Sequence, residues 1–316
     1  MNLKVIVRLL KETFQEWQED KASRLAAALA YYTIFSIAPL LIIAIAIAGA
    51  VFGEEAARGE IVGQIQGLVG KPGAEFIETA INNANKPGSN GSLASLISIA
   101  VLLFGASGVF AQLQDALNTI WEVQPKPGRG IRGGIMGFLR QRFLTFSMVL
   151  VIGFLLMVSL IVSAVLSGLS AYMSYLLPGV DFLWGIVNFV VSFGVIALLF
   201  ALIFKFLPDV KITWNDVGIG AILTALLFTI GKSLLGMYLG QGSFSSTYGA
   251  AGSLVIVLAW VYYSAQILFF GAEFTQVYAS RYGSKIVPDD HAEFMTEEAR
   301  AKQGMTRNRR RQRSDR

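Results

Sequence analysis

The chain has no cysteine, one histidine and little charge. Without cysteine there are no disulfides, no thiolate nucleophile and no Cys-based zinc site. The one histidine, His291, falls in a polar stretch near the C-terminus, so the apolar body lacks the usual neutral-pH proton shuttle. Charged residues make up 15% of the 316 residues, against about a quarter in soluble domains. They are absent from long blocks and crowded between them, which is how membrane spans and loops divide a sequence.

What is present is apolar: 54% of the residues are hydrophobic and the mean hydropathy is +0.57. Six stretches are long enough to cross about 30 Å of hydrocarbon as helices. They cover residues 25–52, 93–111, 143–166, 182–207, 217–239 and 249–277. The short alternating segments of a barrel are not seen. The reading is all-α, a polytopic bundle of six transmembrane helices. Residues 1–24 form a preceding amphipathic segment, 25–280 the transmembrane domain, and 281–316 a basic, disordered cytoplasmic tail. The first apolar run is too long for a signal h-region and is expected to be retained.

Lysine and arginine set the direction. Twenty-two of the 26 fall on one side of this scheme and three, Arg58, Lys71 and Lys86, on the other; Lys232 lies within a span. The positive-inside bias places both termini in the cytoplasm. Residues 3–20 carry Val5, Ile6, Leu9, Leu10, Phe14 and Trp17 on one helical face. That face can lie in the headgroup plane or pack against the bundle. Between the first two spans, Ile61, Ile65, Leu68 and Val69 share one face and Phe76, Ile77, Ala80 and Ile81 a second, with Pro72 between them. This predicts an external helical hairpin, a cap or a lid.

Polar residues inside spans are costly and point to function. Gly105, Gly108, Gln112 and Asp115 form one stripe, and Tyr262, Gln266, Phe270 and Glu273 another. Tyr32, Ser36 and Pro39 share a side of the first span. With Lys232, these stripes are the expected substrate path. Arg24, Asp115, Lys205 and Glu273 fall at the cytoplasmic boundary, as a charge cluster or as ordinary boundary charges. Gly231-Lys232-Ser233 imitates the end of a P-loop, but Leu226 stands where the first glycine is required and the segment is an apolar helix. No catalytic residue, metal or cofactor is expected. The arginine-rich end suits anionic lipid headgroups. It lacks the interleaved aromatics of a single-strand nucleic-acid platform, so no nucleic-acid partner is expected.

Four stretches together resemble the BrkB/YihY family of bacterial inner-membrane proteins. They are Ala26–Leu41 (AAALAYYTIFSIAPLL), Phe104–Trp121 (FGASGVFAQLQDALNTIW), Trp214–Gly240 and Ser246–Ala279. The resemblance implies a six-span protein of the bacterial inner membrane and a suggested role in moving or handling envelope lipids or other amphiphiles. A ribonuclease label has also circulated for such sequences. The sequence argues against it, since a metal-dependent nuclease needs several ligands around an activated water and no His/Asp cluster is visible. The leading expectation is a lipid or amphiphile transporter that is not an enzyme. The alternative is a membrane scaffold for envelope-assembly partners. Homo-oligomers stay open, because small-residue faces serve contacts within or between chains.

Overall fold

The computed structural model describes residues 3–84, 92–126, 181–239 and 251–305. The predicted third span, 143–166, lies outside the described residues, as does the arginine-rich end from Arg307.

Helix α1 spans Leu3–Glu19 and turns through Asp20 and Lys21 into α2, Ala22–Phe52. Lys21 adopts the left-handed conformation at this corner, with φ 55°. α2 ends at Gly53 (φ 87°), whose N–H donates to the Gly49 carbonyl. α3, Glu54–Ala84, breaks at Gly70, where φ 75° and ψ 173° interrupt the helix one residue before Lys71-Pro72. The two arms fold back on each other. Arg58 of the first reaches Glu78 Oε1 of the second at 3.4 Å and also bonds Asn82. Their apolar faces, Ile61 and Val69 on one arm and Ile77 and Ile81 on the other, pack with Ala44 and Ile45 of α2.

α4 covers Ser92–Ile120 and holds the second predicted span. α5 covers Asp181–Phe206, α6 Trp214–Leu239 and α7 Gly252–Arg281. Ile256 and Val257 of α7 close the cluster under α3. Four described helices, within α2, α5, α6 and α7, are long and apolar enough to cross a membrane. Their apolar side chains are mostly not inside the protein: only 17% of the most apolar window of α5 is buried. Phe182, Phe189 and Val190 of α5 and Ile222 and Leu226 of α6 are all exposed. Outward-facing apolar surface on this scale requires a lipid solvent.

The main core lies where α2, α4, α5, α6 and α7 converge, around the fully buried Trp121, Leu117, Phe204, Val217 and Phe269. Four short strands cover this end. β1 (Val123–Pro125) pairs antiparallel with β4 (Ala292–Phe294), and β2 (Val210–Lys211) with β3 (Val287–Pro288). α8, Glu297–Lys302, follows, and Thr296 caps it by accepting from Ala299 N at 3.2 Å. The chain after Arg281, expected as a disordered arm, therefore returns as a folded cap as far as Met305. Met295 and Met305 are buried, and strand pairing satisfies backbone that a disordered arm would leave to water.

Candidate functional site

The polar side of α2 and the small-residue stripe of α4 meet each other. Ser36 Oγ donates to the Gly105 carbonyl at 2.7 Å, and a methyl at Gly105 would touch the Pro39 ring at 3.1 Å. Gly108 faces Ser36 Oγ and Tyr32. The small residues of α4 thus seat α2 closely, a helix–helix contact of the small-residue type. Gln112 is half-buried at the same seam, while Asp115 is exposed. Of the expected boundary charges, Arg24 donates to the Gln303 carbonyl at 2.5 Å. Lys205 bonds the Ile212 carbonyl and lies 5.9 Å from the centroid of the Trp214 ring. Glu273 is completely buried in α7. Lys232 and Tyr262 are exposed.

α6 and α7 interlock by a reciprocal exchange of glycine and threonine. A methyl at Gly220 would fall 1.7 Å from Thr275 Oγ1, and one at Gly271 would fall 1.9 Å from Thr224 Oγ1. Each threonine hydroxyl donates to the carbonyl of the glycine on its own helix, Thr224 to Gly220 and Thr275 to Gly271, both at 2.7 Å. The hydroxyls are thereby satisfied in an apolar setting, and each side chain fills the notch of the opposite glycine.

Beside this seam α1 borders an open groove of about 360 Å³. Phe14 and Trp17 of α1, stacked at 5.8 Å, form one wall. Ile230 and Gly231 of α6 and Tyr263, Gln266 and Phe270 of α7 form the others. α1 is held there by Leu9, buried against Phe274 and Val277, and by the Glu12–Arg281 ion pair at 2.5 Å. The apolar face of α1 thus packs on the bundle, at least in part. Two polar atoms of the groove residues are buried without a hydrogen-bond partner: Trp17 Nε1, a donor, and Gln266 Oε1, an acceptor. The sequence singled out Gln266 by its stripe. Trp17 carried only an apolar-face signal, and nothing in the sequence set it beside Gln266.

The cap holds two buried polar groups that the sequence did not show. Arg300, 2% exposed, binds Asp20 Oδ1 at 2.9 Å and Glu122 Oε1 at 3.3 Å. Burial drives the Asp20 carboxyl up to about 7, against the opposing pull of Arg300. Elsewhere Asp209, Asp289 and His291 bring one ligand atom each within 4.8 Å of one another. This corrects the expectation that no His/Asp cluster exists. Asp209 and His291 are 82 residues apart in the chain, and the β2–β3 pairing joins them.

Long apolar helices facing outward, with a polar cap at one end, define a helical integral membrane protein. The chain belongs to the virulence factor BrkB family, whose profile matches residues 13–296. It is 28% identical over 263 residues to a UPF0761 membrane protein of Ralstonia nicotianae, covering 80% of this chain and 55% of that one. It is 29% identical over 266 residues to a UPF0761 membrane protein of Alteromonas mediterranea, covering 82% and 83%. A third, from Mannheimia succiniciproducens, is 25% identical over 283 residues, covering 87% and 92%. The chain thus spans little more than half of the Ralstonia relative and nearly all of the Mannheimia one. No solved structure matches.

Proposed function

We propose that this protein crosses a bacterial inner membrane six times, with both termini in the cytoplasm and the α3 hairpin on the outer side. In this reading it binds and moves an amphiphile of the envelope-lipid class. The observation that carries the reading is the pocket under α1. Its walls are aromatic and aliphatic, Phe14, Trp17, Ile230 and Phe270 among them, and a groove of this kind suits an acyl chain. An amphiphile would place its chain along Phe14, Ile230 and Phe270. Gln266 lies seven residues from Glu273, about 10 Å along the helix, which suits the inner leaflet. The arginine-rich end would meet anionic headgroups on the same side.

The close α2–α4 seam favours a second reading. Ser36, Gly105 and Gly108 are occupied in packing rather than lining a path. A scaffold for envelope-assembly proteins would have this construction.

Reconstitution in vesicles with labelled phospholipids separates the two. The transporter reading expects lipid transfer that is slowed at least several-fold by Ile230→Trp, which fills the groove, and by Gly231→Ala. A methyl at Gly231 would lie 2.7 Å from the Tyr263 hydroxyl and force the pocket wall to shift. No transfer by the wild-type chain across neutral and anionic lipids, with and without a proton gradient, overturns the transporter reading.

A further inference from the structure

The Asp209–Asp289–His291 cluster lies in the cap, away from the pocket under α1, and does not depend on the lipid reading. We propose that these three residues bind a divalent first-row cation of the Mn2+ to Zn2+ range, which fastens the C-terminal cap to the end of α5. The donor set is one imidazole nitrogen and two carboxylate oxygens. That mixture suits Mn2+, Fe2+ or Zn2+ better than Mg2+ or Ca2+, which take oxygen ligands.

The geometry is close to a coordinated one. His291 Nε2 lies 2.8 Å from Asp209 Oδ1. Two ligands on one metal, each at about 2.1 Å, stand roughly 3.0–3.4 Å apart, so an opening of a few tenths of an ångström admits the ion. Asp209 is 5% exposed and held from behind. Asn118 Nδ2 donates to Oδ2 at 2.9 Å and Gln114 Nε2 to Oδ1 at 3.3 Å. Asn118 Oδ1 accepts from the Asp209 backbone N–H at 2.8 Å, which locks the residue in place. Neutral amide donors that orient a carboxylate are what metal sites use around their ligands. Asp289 is brought in by its own backbone N–H, which donates to the Asp209 carbonyl at 3.0 Å.

Charge points the same way. Two carboxylates at this separation repel. The nearby lysines are engaged next door: Lys211 pairs with Asp290 at 2.6 Å, and Lys126 Nζ donates to the Asp290 carbonyl at 2.8 Å. A divalent ion offsets that repulsion and takes the imidazole nitrogen as a ligand. Three protein ligands leave further positions for water.

His291 is the one histidine of the chain, which makes the test direct. The full chain is purified in detergent with a tag free of histidine, stripped with EDTA, and labelled with 15N-histidine. Zn2+ should shift the single imidazole signal and Mn2+ should broaden it, with one ion bound per chain by calorimetry. His291→Ala and Asp289→Ala should each weaken Zn2+ binding at least ~10-fold, as loss of a ligand or its support does. Asp290→Ala, outside the donor set, should leave it unchanged. The thermal midpoint should rise with Zn2+ in the wild type and not in His291→Ala. An imidazole signal unmoved by Zn2+ and Mn2+ overturns the site. Equal Zn2+ binding by wild type, His291→Ala and Asp289→Ala also overturns it.

Discussion

Replacing Gly271 by alanine tests whether the glycine–threonine exchange holds α6 against α7. The added methyl would lie 1.9 Å from Thr224 Oγ1, 2.8 Å from its Cβ and 2.9 Å from its Cγ2. Ordinary carbon contacts begin near 3.5 Å, so the Cβ pair alone demands about 0.7 Å of separation. Rotating Thr224 moves its hydroxyl off the Gly220 carbonyl but leaves Cβ where it is. The helices must therefore part. Overpacking of this kind costs about 1–3 kcal/mol, and loss of the hydroxyl bond adds about 1 kcal/mol. The expected loss is about 2–4 kcal/mol, measured by SDS-titrated unfolding in mixed micelles. Thr224→Gly removes the colliding carbons, so it should return most of that loss in the Gly271→Ala background, although it is destabilising alone. A coupling energy of at least about 1 kcal/mol between the two sites is the signature. Unfolding of Gly271→Ala within about 0.5 kcal/mol of wild type, or strictly additive losses in the double variant, would refute the interlock.

Two further outcomes follow from the fold. Folding raises the Asp20 carboxyl from 3.8 to about 7, so between those values the folded state holds more protons than the unfolded one. The stability this contributes is complete below about pH 4 and is lost as pH rises through 7, with a slope of at most about 1.4 kcal/mol per pH unit. The thermal midpoint should therefore fall from pH 5.5 to 8, and Asp20→Asn should flatten that decline; an unchanged slope in the variant counts against it. At the α3 break, Gly70 holds a backbone conformation open essentially to glycine alone. Gly70→Ala should cost about 1–3 kcal/mol, whereas Gly67→Ala, whose methyl meets open space, should not destabilise. Equal effects from the two would mean that the break is not conformationally demanding.

The membrane helices were legible because hydrophobic length is a local property. The runs predicted at 25–52, 182–207, 217–239 and 249–277 match α2, α5, α6 and α7 within a few residues. The break before Pro72 was legible for the same reason. The small-residue stripe Gly105/Gly108 announced a close approach, but its partner α2 was not written in α4. The cap escaped altogether. Its members, Asp20 with Arg300 and Asp209 with His291, are polar residues far apart in the chain, and polarity read locally suggests solvent. Only strand pairing through two- and three-residue strands brings them together, and strands that short leave no periodicity to read.

The Asp20–Arg300 pair joins residues 280 positions apart. During synthesis Asp20 enters the membrane surface with the first helix, while Arg300 follows only after the last. At about 5–20 residues per second this interval is roughly 15–60 s. Throughout it the corner between α1 and α2 must keep Asp20 in water. The final closure of this corner is therefore a late event, set by the arrival of Arg300. A chain truncated before Arg300 would insert its helices yet leave its N-terminal corner open, giving quality-control proteases a direct mark of incompleteness.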